Sequence, residues 1–169
     1  MNEHEEKNVG TTTRDTSRAV LLMRAGGFRI AVYADECECV TPWAEPAPLP
    51  DAPGTILGVV PVRGRMRTVL DPARLLEPTG HTHEHPTATH AFIVSLVGDE
   101  QLALACEEST PSTLNADEEL SLPLSPSLHT RATFRRDGET IHLLDPARLF
   151  DAAMSGTERR RQRAVNHES

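Results

Sequence analysis

The stretch GRMRTVLDPARLL at residues 64–76 occurs again, with substitutions, as GETIHLLDPARLF at residues 138–150. The copies align without a gap, so that position 64 matches position 138 and position 76 matches position 150. In each, a glycine favours a tight turn, an apolar run predicts a strand, and Asp-Pro starts a helix. The two copies are 74 residues apart, and a repeat unit of 74 residues is longer than a solenoid unit. The repeat therefore predicts two related lobes, each ending in a short helix.

The helix starts of the two copies follow one rule. Asp71 and Asp145 are predicted N-caps, since their side chains can accept a backbone N–H of the first turn. The proline that follows each is at the first helical position, where no backbone donor is needed. We expect the apolar side chains of residues 75–76 and 149–150, in these helices, to pack toward the protein core.

The remaining apolar runs are short and are separated by Gly, Pro and Asp, which predicts a mostly β protein. Glycine-containing turns at Gly26-Gly27, Arg63-Gly64 and Asp137-Gly138 indicate hairpins. The polar ends predict a disordered acidic and polar tail at 1–17 and a disordered basic tail at 155–169. The folded domain is then 18–154, with a lobe boundary near the linker 77–90.

Composition excludes several classes of function. The 169 residues carry 17 basic and 25 acidic side chains, a net charge of −8, which disfavours nucleic acid as a partner. No apolar run is long enough to cross a bilayer and the N-terminus is polar, so we expect a cytoplasmic protein without direct membrane insertion. Three cysteines without disulfide spacing predict reduced thiols packed as small hydrophobic groups. No nucleophile elbow, phosphate loop or zinc-protease motif is present in the sequence.

A histidine-rich tract offers the best candidate for metal chemistry. His81, His83 and His85 alternate, so an extended chain would place them on one face, and imidazole binds zinc, copper and nickel. The thiols of Cys37 and Cys39 could complete such a site. The tract is also explained, more simply, as a solvated, pH-sensitive loop. A metal-binding sensor or enzyme that uses residues 81–90 with the cysteines is therefore the alternative function.

Several elements, in order, resemble the CheW-like family of bacterial chemotaxis coupling proteins. They are GFRIAVY (27–33), CECV (37–40), LPDAP (49–53), ILGVVPVRG (56–64), VLD (69–71), FIVSL (92–96) and DG (137–138) before LLD (143–145). The resemblance covers approximately residues 19–154. The chain departs from the family pattern at Pro61, where an asparagine is usual, and at 104–108, where a valine-rich strand is usual.

The resemblance implies two small five-stranded β-barrel lobes that share a hydrophobic core, with no catalytic site and no cofactor. It implies a non-enzymatic adaptor that couples a chemoreceptor to a CheA-type histidine kinase in chemotaxis or another chemosensory pathway. The implied partners are the kinase regulatory domain and the cytoplasmic tip of the receptor. The adaptor would be recruited from the cytoplasm to membrane receptor arrays.

The candidate kinase- and receptor-binding residues are Glu38, Gly58, Val59, Val60, Val62, Arg63 and Gly64. Most also have a structural explanation from their spacing alone. Arg63 can form an intramolecular salt bridge, and Glu38 can lie on a solvated strand face, away from the two neighbouring thiols. Gly58 can permit a bulge or a close strand approach, and the valines can fill the core.

Overall fold

Ten short strands form most of the described part of the chain, residues 17–77, 89–122 and 129–154 of a computed structural model. The strands are β1 (Arg18–Ala25), β2 (Phe28–Tyr33), β3 (Cys37–Pro42), β4 (Ile56–Val62), β5 (Arg65–Leu70), β6 (Phe92–Leu96), β7 (Leu102–Cys106), β8 (Glu108–Leu114), β9 (Thr130–Arg136) and β10 (Glu139–Leu144). Helix α1 spans Pro72–Leu76, helix α2 spans 146–154, and one 3-10 turn spans Ala34–Glu36. The predicted mostly β architecture is confirmed. The predicted tails, apart from Ser17, lie outside the described residues.

The strands form two five-stranded sheets. Sheet A has the order β8-β1-β2-β10-β9, and sheet B has the order β3-β6-β7-β5-β4. Each sheet contains one parallel pair, β2 with β10 in sheet A and β5 with β7 in sheet B. The other pairs are antiparallel, and three of them, β1–β2, β4–β5 and β9–β10, are the hairpins that the glycine-containing turns predict.

The repeat extends through the whole fold. Strands β1, β2, β4 and β5 begin at positions 18, 28, 56 and 65, and β6, β7, β9 and β10 begin at positions 92, 102, 130 and 139, so one constant offset relates all four pairs. The sheets do not correspond to the two repeats, however. The first hairpin of each repeat joins the last three strands of the other repeat. The segment 77–90 therefore does not separate the two sheets.

The structure corrects the prediction of β-barrels, because strand pairing does not close either sheet. In sheet B the edge strands β3 and β4 do not pair with each other, nor do β8 and β9 in sheet A. A single bridge lies on one edge of each sheet, Ala47 with Val59 on β4 and Ser121 with Thr133 on β9. These two bridges are equivalent under the repeat, and each shields only a short part of an exposed edge.

Three apolar clusters hold the sheets together. The shared core lies between the sheets and includes Ile30 and Val32 of sheet A, Val94 and Leu104 of sheet B, and Leu149 of α2. Each sheet also curls around an inner core of its own. That of sheet A contains Ala31, Phe134, Ile141 and Leu143, and that of sheet B contains Val60, Val62, Val69, Ile93, Ala103 and Ala105.

The helices confirm part of the capping prediction. Asp71 accepts a hydrogen bond from the Ala73 backbone N–H at 3.0 Å, as an N-cap does. The Asp145 carboxylate instead accepts a hydrogen bond from the Arg131 guanidinium at 3.3 Å. Leu149 is buried, but Phe150 is 38% exposed, so its predicted inward packing is wrong. No helix in the described ranges is long and apolar enough to span a membrane.

Candidate functional site

One end of sheet B carries the two charged candidate residues, Glu38 and Arg63. The β4–β5 turn lies at this end, and β6 finishes here at Leu96. Strand β3 begins at Cys37, which pairs with Leu96, so Glu38 lies at the same end. Glu38 lies on the edge strand β3, and Arg63 lies in the turn that follows the opposite edge strand, β4. The two residues are therefore at the same end of sheet B, with β6, β7 and β5 between their strands.

The turn itself is built on two left-handed residues. Arg63 has φ 48° and Gly64 has φ 77°, which is the geometry of the two-residue mirror-image turn. Gly64 therefore has a backbone role, since glycine adopts this region without steric strain. Arg63 is exposed at the tip. Arg63 and Arg65 are the arginines of the described ranges that form no ion pair or hydrogen bond with another described residue.

The three candidate valines of β4 fall on different faces. Val60 and Val62 are buried in the inner core of sheet B, so they support the fold and are not available to a partner. Val59 is half-buried and lies on the other face with exposed Pro61. Pro61 pairs with Met66 of β5, which is 55% exposed. Val59, Pro61 and Met66 therefore form an apolar surface on this hairpin, which we call the hairpin face.

Gly58 has a structural role. The β4–β5 register shifts between Ile56 and Gly58, and Gly58 has φ 143°. A Cβ at this position would lie 2.2 Å from the Ala47 carbonyl oxygen. The glycine thus permits both the bulge and the close approach of the segment that bridges to Val59.

Glu38 is held by a residue that the sequence reasoning missed. Strand β3 has a bulge between Cys37 and Cys39, and Glu38 at this bulge forms an ion pair with the Arg67 guanidinium. Arg67 also donates to the Leu96 carbonyl oxygen at 3.0 Å. Its side chain is 1% exposed, whereas that of Glu38 is 33% exposed. The available signal was the repeat, which has Ile141 where the first copy has Arg67.

The bulge also separates the two thiols that were expected to share a face. Cys37 packs against the shared core, and Cys39 packs against the inner core of sheet B. Both are half-buried, while Cys106 is fully buried, and all three are free thiols. Burial raises the pKa of Cys37 to about 12, with a further contribution from Glu36, and burial raises the pKa of Cys106 to about 12. Both thiols are therefore protonated and unreactive near neutral pH.

The metal alternative gains no support from the described residues. Within 17–77, 89–122 and 129–154, no group of three or more His, Cys, Asp or Glu side chains is arranged to hold a metal ion. His81, His83 and His85 lie outside the described residues. His90, at the edge of that tract, stacks on Trp43 with ring centroids 4.6 Å apart.

Comparisons with known proteins agree with this architecture. The family model of the CheW-like domain matches residues 19–154. Among solved structures, the scaffolding protein TtCheW from Thermoanaerobacter tengcongensis is similar, with a TM-score of 0.62 and 13% sequence identity. The match covers 76% of this chain and 88% of that chain, and at this identity it concerns the fold alone. A search of curated protein sequences finds no match.

Proposed function

The chain belongs to the CheW-like domain family, and from this premise we propose that it is a non-enzymatic cytoplasmic adaptor. It couples the cytoplasmic tip of a chemoreceptor to the regulatory domain of a CheA-type histidine kinase at receptor arrays. In this role the protein performs no reaction. It binds two proteins at once and transmits a conformational bias from one to the other.

The observation that carries the proposal is the pair of exposed arginines at the tip of the hairpin that carries the hairpin face, neither of which forms an ion pair within the described ranges. Arg63 is exposed at the tip of the hairpin that carries Val59, Pro61 and Met66, and exposed Arg65 follows the turn on the face opposite Met66. Strands β4 and β5 contain no acidic residue. An apolar centre with a charged rim is the usual anatomy of a protein-binding surface. We propose that the receptor tip binds here and presents carboxylates to the arginines, since complementary charge steers association.

A second contact is proposed for the kinase regulatory domain. Strand β3 is an edge strand of sheet B, and its residue Val40 is 42% exposed. An edge strand carries backbone donors and acceptors that a partner strand can pair with. We therefore assign the kinase domain to an apolar strand edge of this sheet, and the receptor to the tip that carries Arg63.

Two titrations test the proposal. The full chain is titrated with the kinase regulatory domain of its own organism, and separately with the cytoplasmic fragment of the receptor. Saturable binding is expected in both, and no saturation with the kinase domain at tens of micromolar would contradict the kinase contact. Arg63→Glu should weaken receptor binding, and receptor binding that is unchanged in this variant would contradict the receptor contact.

The repeat supplies a matched control. Arg135 lies beside the equivalent turn of sheet A, on the β9–β10 hairpin, and donates to the Gly138 carbonyl oxygen at 3.0 Å. Arg135→Glu makes the same charge change at the equivalent end of the other sheet. We expect it to leave receptor binding unchanged, which separates the local contact from a general effect of net charge.

A further inference from the structure

Arg67 occupies a position for which the fold accepts an apolar residue. Its counterpart in the second repeat is Ile141, which is buried in the inner core of sheet A. Arg67 lies on the equivalent face of sheet B, the face on which Val60 and Val69 contribute to the inner core. Sheet B therefore has a buried arginine at the position where sheet A has a buried isoleucine.

A buried arginine is a poor way to stabilise such a core. A guanidinium loses its hydration on burial, and the ion pair with Glu38 repays this only if the other donors are also bonded. Two nitrogens of Arg67 are bonded, to Leu96 and to Glu38, but its Nε has no partner among the described residues. An apolar side chain of similar volume would hold the inner core at least as well.

We propose that Arg67 is a positioning residue for partner binding, which fixes the Glu38 carboxylate at the surface of the β3 bulge. The proposal rests on the adaptor function proposed above. Arg67 bonds one carboxylate oxygen, Oε2, from inside the sheet. The other oxygen forms no hydrogen bond with a described residue, and the side chain is 33% exposed. Glu38 is thus oriented to accept a hydrogen bond or a cationic group from a partner.

The position of Glu38 in the sheet shows why this needs a buried cation. Strand β3 is an edge strand with a bulge at Glu38, so pairing to β6 does not by itself fix where this side chain points. Arg67 is anchored on β5, at the far side of the order β3-β6-β7-β5. Its two bonds tie the bulge and the end of β6 to β5 across the interior. A carboxylate held in place before binding loses less entropy when the partner arrives.

Two variants of equal length test the proposal. Arg67→Met keeps an unbranched chain in the inner core and removes the cation, whereas Arg67→Lys keeps the cation. We expect Arg67→Met to retain the wild-type urea midpoint and to bind the kinase regulatory domain, which is assigned to the β3 edge, about tenfold more weakly. Arg67→Lys should recover part of the lost affinity. Arg135→Gln, on the exposed surface of sheet A, is the control for a loss of positive charge.

The outcomes separate three explanations. A large fall of the urea midpoint in Arg67→Met would show a merely structural arginine and overturn the proposal. Unchanged affinity for the kinase regulatory domain in a stable Arg67→Met would also overturn it, while leaving the adaptor function intact. Equal losses in Arg67→Met and Arg67→Lys would contradict a role for the cation.

A measurement without any partner keeps the proposal testable even if wild-type protein does not bind the kinase regulatory domain, a result that contradicts the proposed kinase contact itself. Amide hydrogen exchange of β3 is followed in wild type and in Arg67→Met. Faster exchange confined to the β3 amides would support the positioning role, since a local opening need not change global stability. Unchanged exchange at these amides would overturn it.

Discussion

Arg63 and Asp137 occupy the same position of two equivalent turns, with φ angles of 48° and 52°. The glycine that follows each has φ 77° and 80°. Aspartate is favoured at this left-handed position because its short polar side chain bonds locally, whereas arginine has no such advantage. The first repeat thus keeps a residue that the turn disfavours, at the tip that carries the proposed receptor contact. A backbone outlier of this kind points to a role outside the turn.

Replacing Arg63 by asparagine separates the turn from the contact. Arg63→Asn should stabilise the fold by up to about 1 kcal/mol, because asparagine tolerates the left-handed region better. The same variant should bind the receptor fragment more weakly, because the exposed cation is lost. Urea unfolding and a binding titration give the two values. Asp137→Asn is the control, and it should change neither; a stable Arg63→Asn with undiminished binding would refute the assignment.

The glycines of β4 and the following turn should respond differently to a methyl group. A Cβ on Gly58 would lie 2.2 Å from the Ala47 carbonyl oxygen, whereas a Cβ on Gly64 meets nothing within 4 Å. Gly64→Ala should cost about 1 kcal/mol of unfolding free energy, from backbone strain alone. Gly58→Ala should cost more than about 2 kcal/mol, since a backbone segment must move as well. Equal losses in urea unfolding would show that the close approach of Ala47 is not maintained.

His142 of β10 and His129, the residue before β9, should make stability depend on pH. Burial lowers the pKa of His129 and of His142 below the ordinary value of 6.5, and His142 adds to the lowering at His129. The unfolded chain then binds more protons than the folded chain just below pH 6.5, so the unfolding free energy falls as the pH decreases through this range. Above this pH both states carry neutral histidines, and this contribution is fully present.

The repeat again supplies the substitutions, because Thr55 and Thr68 are the counterparts of His129 and His142. Urea unfolding is measured between about pH 7.5 and about pH 5.5. The double variant His129→Thr/His142→Thr should show a smaller fall in unfolding free energy over this range than wild type. Parallel pH profiles of the two proteins would mean that these imidazoles do not titrate differently on folding.

The exchange of hairpins predicts that neither half of the chain folds alone. Sheet A needs β1 and β2 from the first repeat and β8, β9 and β10 from the second, and sheet B needs β6 and β7 from the second. Fragments 1–80 and 81–169 should each lack the native circular dichroism spectrum, and an equimolar mixture should recover it. A native spectrum from either fragment alone would contradict the exchange.

Local features were predictable because they depend on neighbouring residues. The Asp137-Gly138 turn, the Asp71 cap and the equivalent hairpins of the two repeats follow from backbone preferences that act over short stretches of chain. The offset between the repeats was read from one pair of motifs, and the structure extends it to four pairs of strands and to the two edge bridges.

The candidate site was predictable only in part. Arg63 is exposed as a partner-binding residue must be, while Val60 and Val62 lie inside the sheet and Gly58 serves the bulge. Alternation along β4 shows that the valines divide between two faces, but not which face is outside. Arg67 was missed because an arginine in an apolar run is normally solvated, and only the interior of sheet B shows that it is buried.

The sequence by itself determined the repeat, the strand-rich character, the turns and the helix starts, since these are written in local propensity and spacing. Only the tertiary structure decided that the repeats exchange their first hairpins, that the sheets remain open, and that Glu38 meets Arg67. Hairpin exchange leaves every local pairing between neighbouring residues intact. A hairpin could therefore join the sheet of its own repeat or that of the other repeat without any change in local pairing. Which sheet it joins depends on the packing of the shared core, where residues distant in sequence meet.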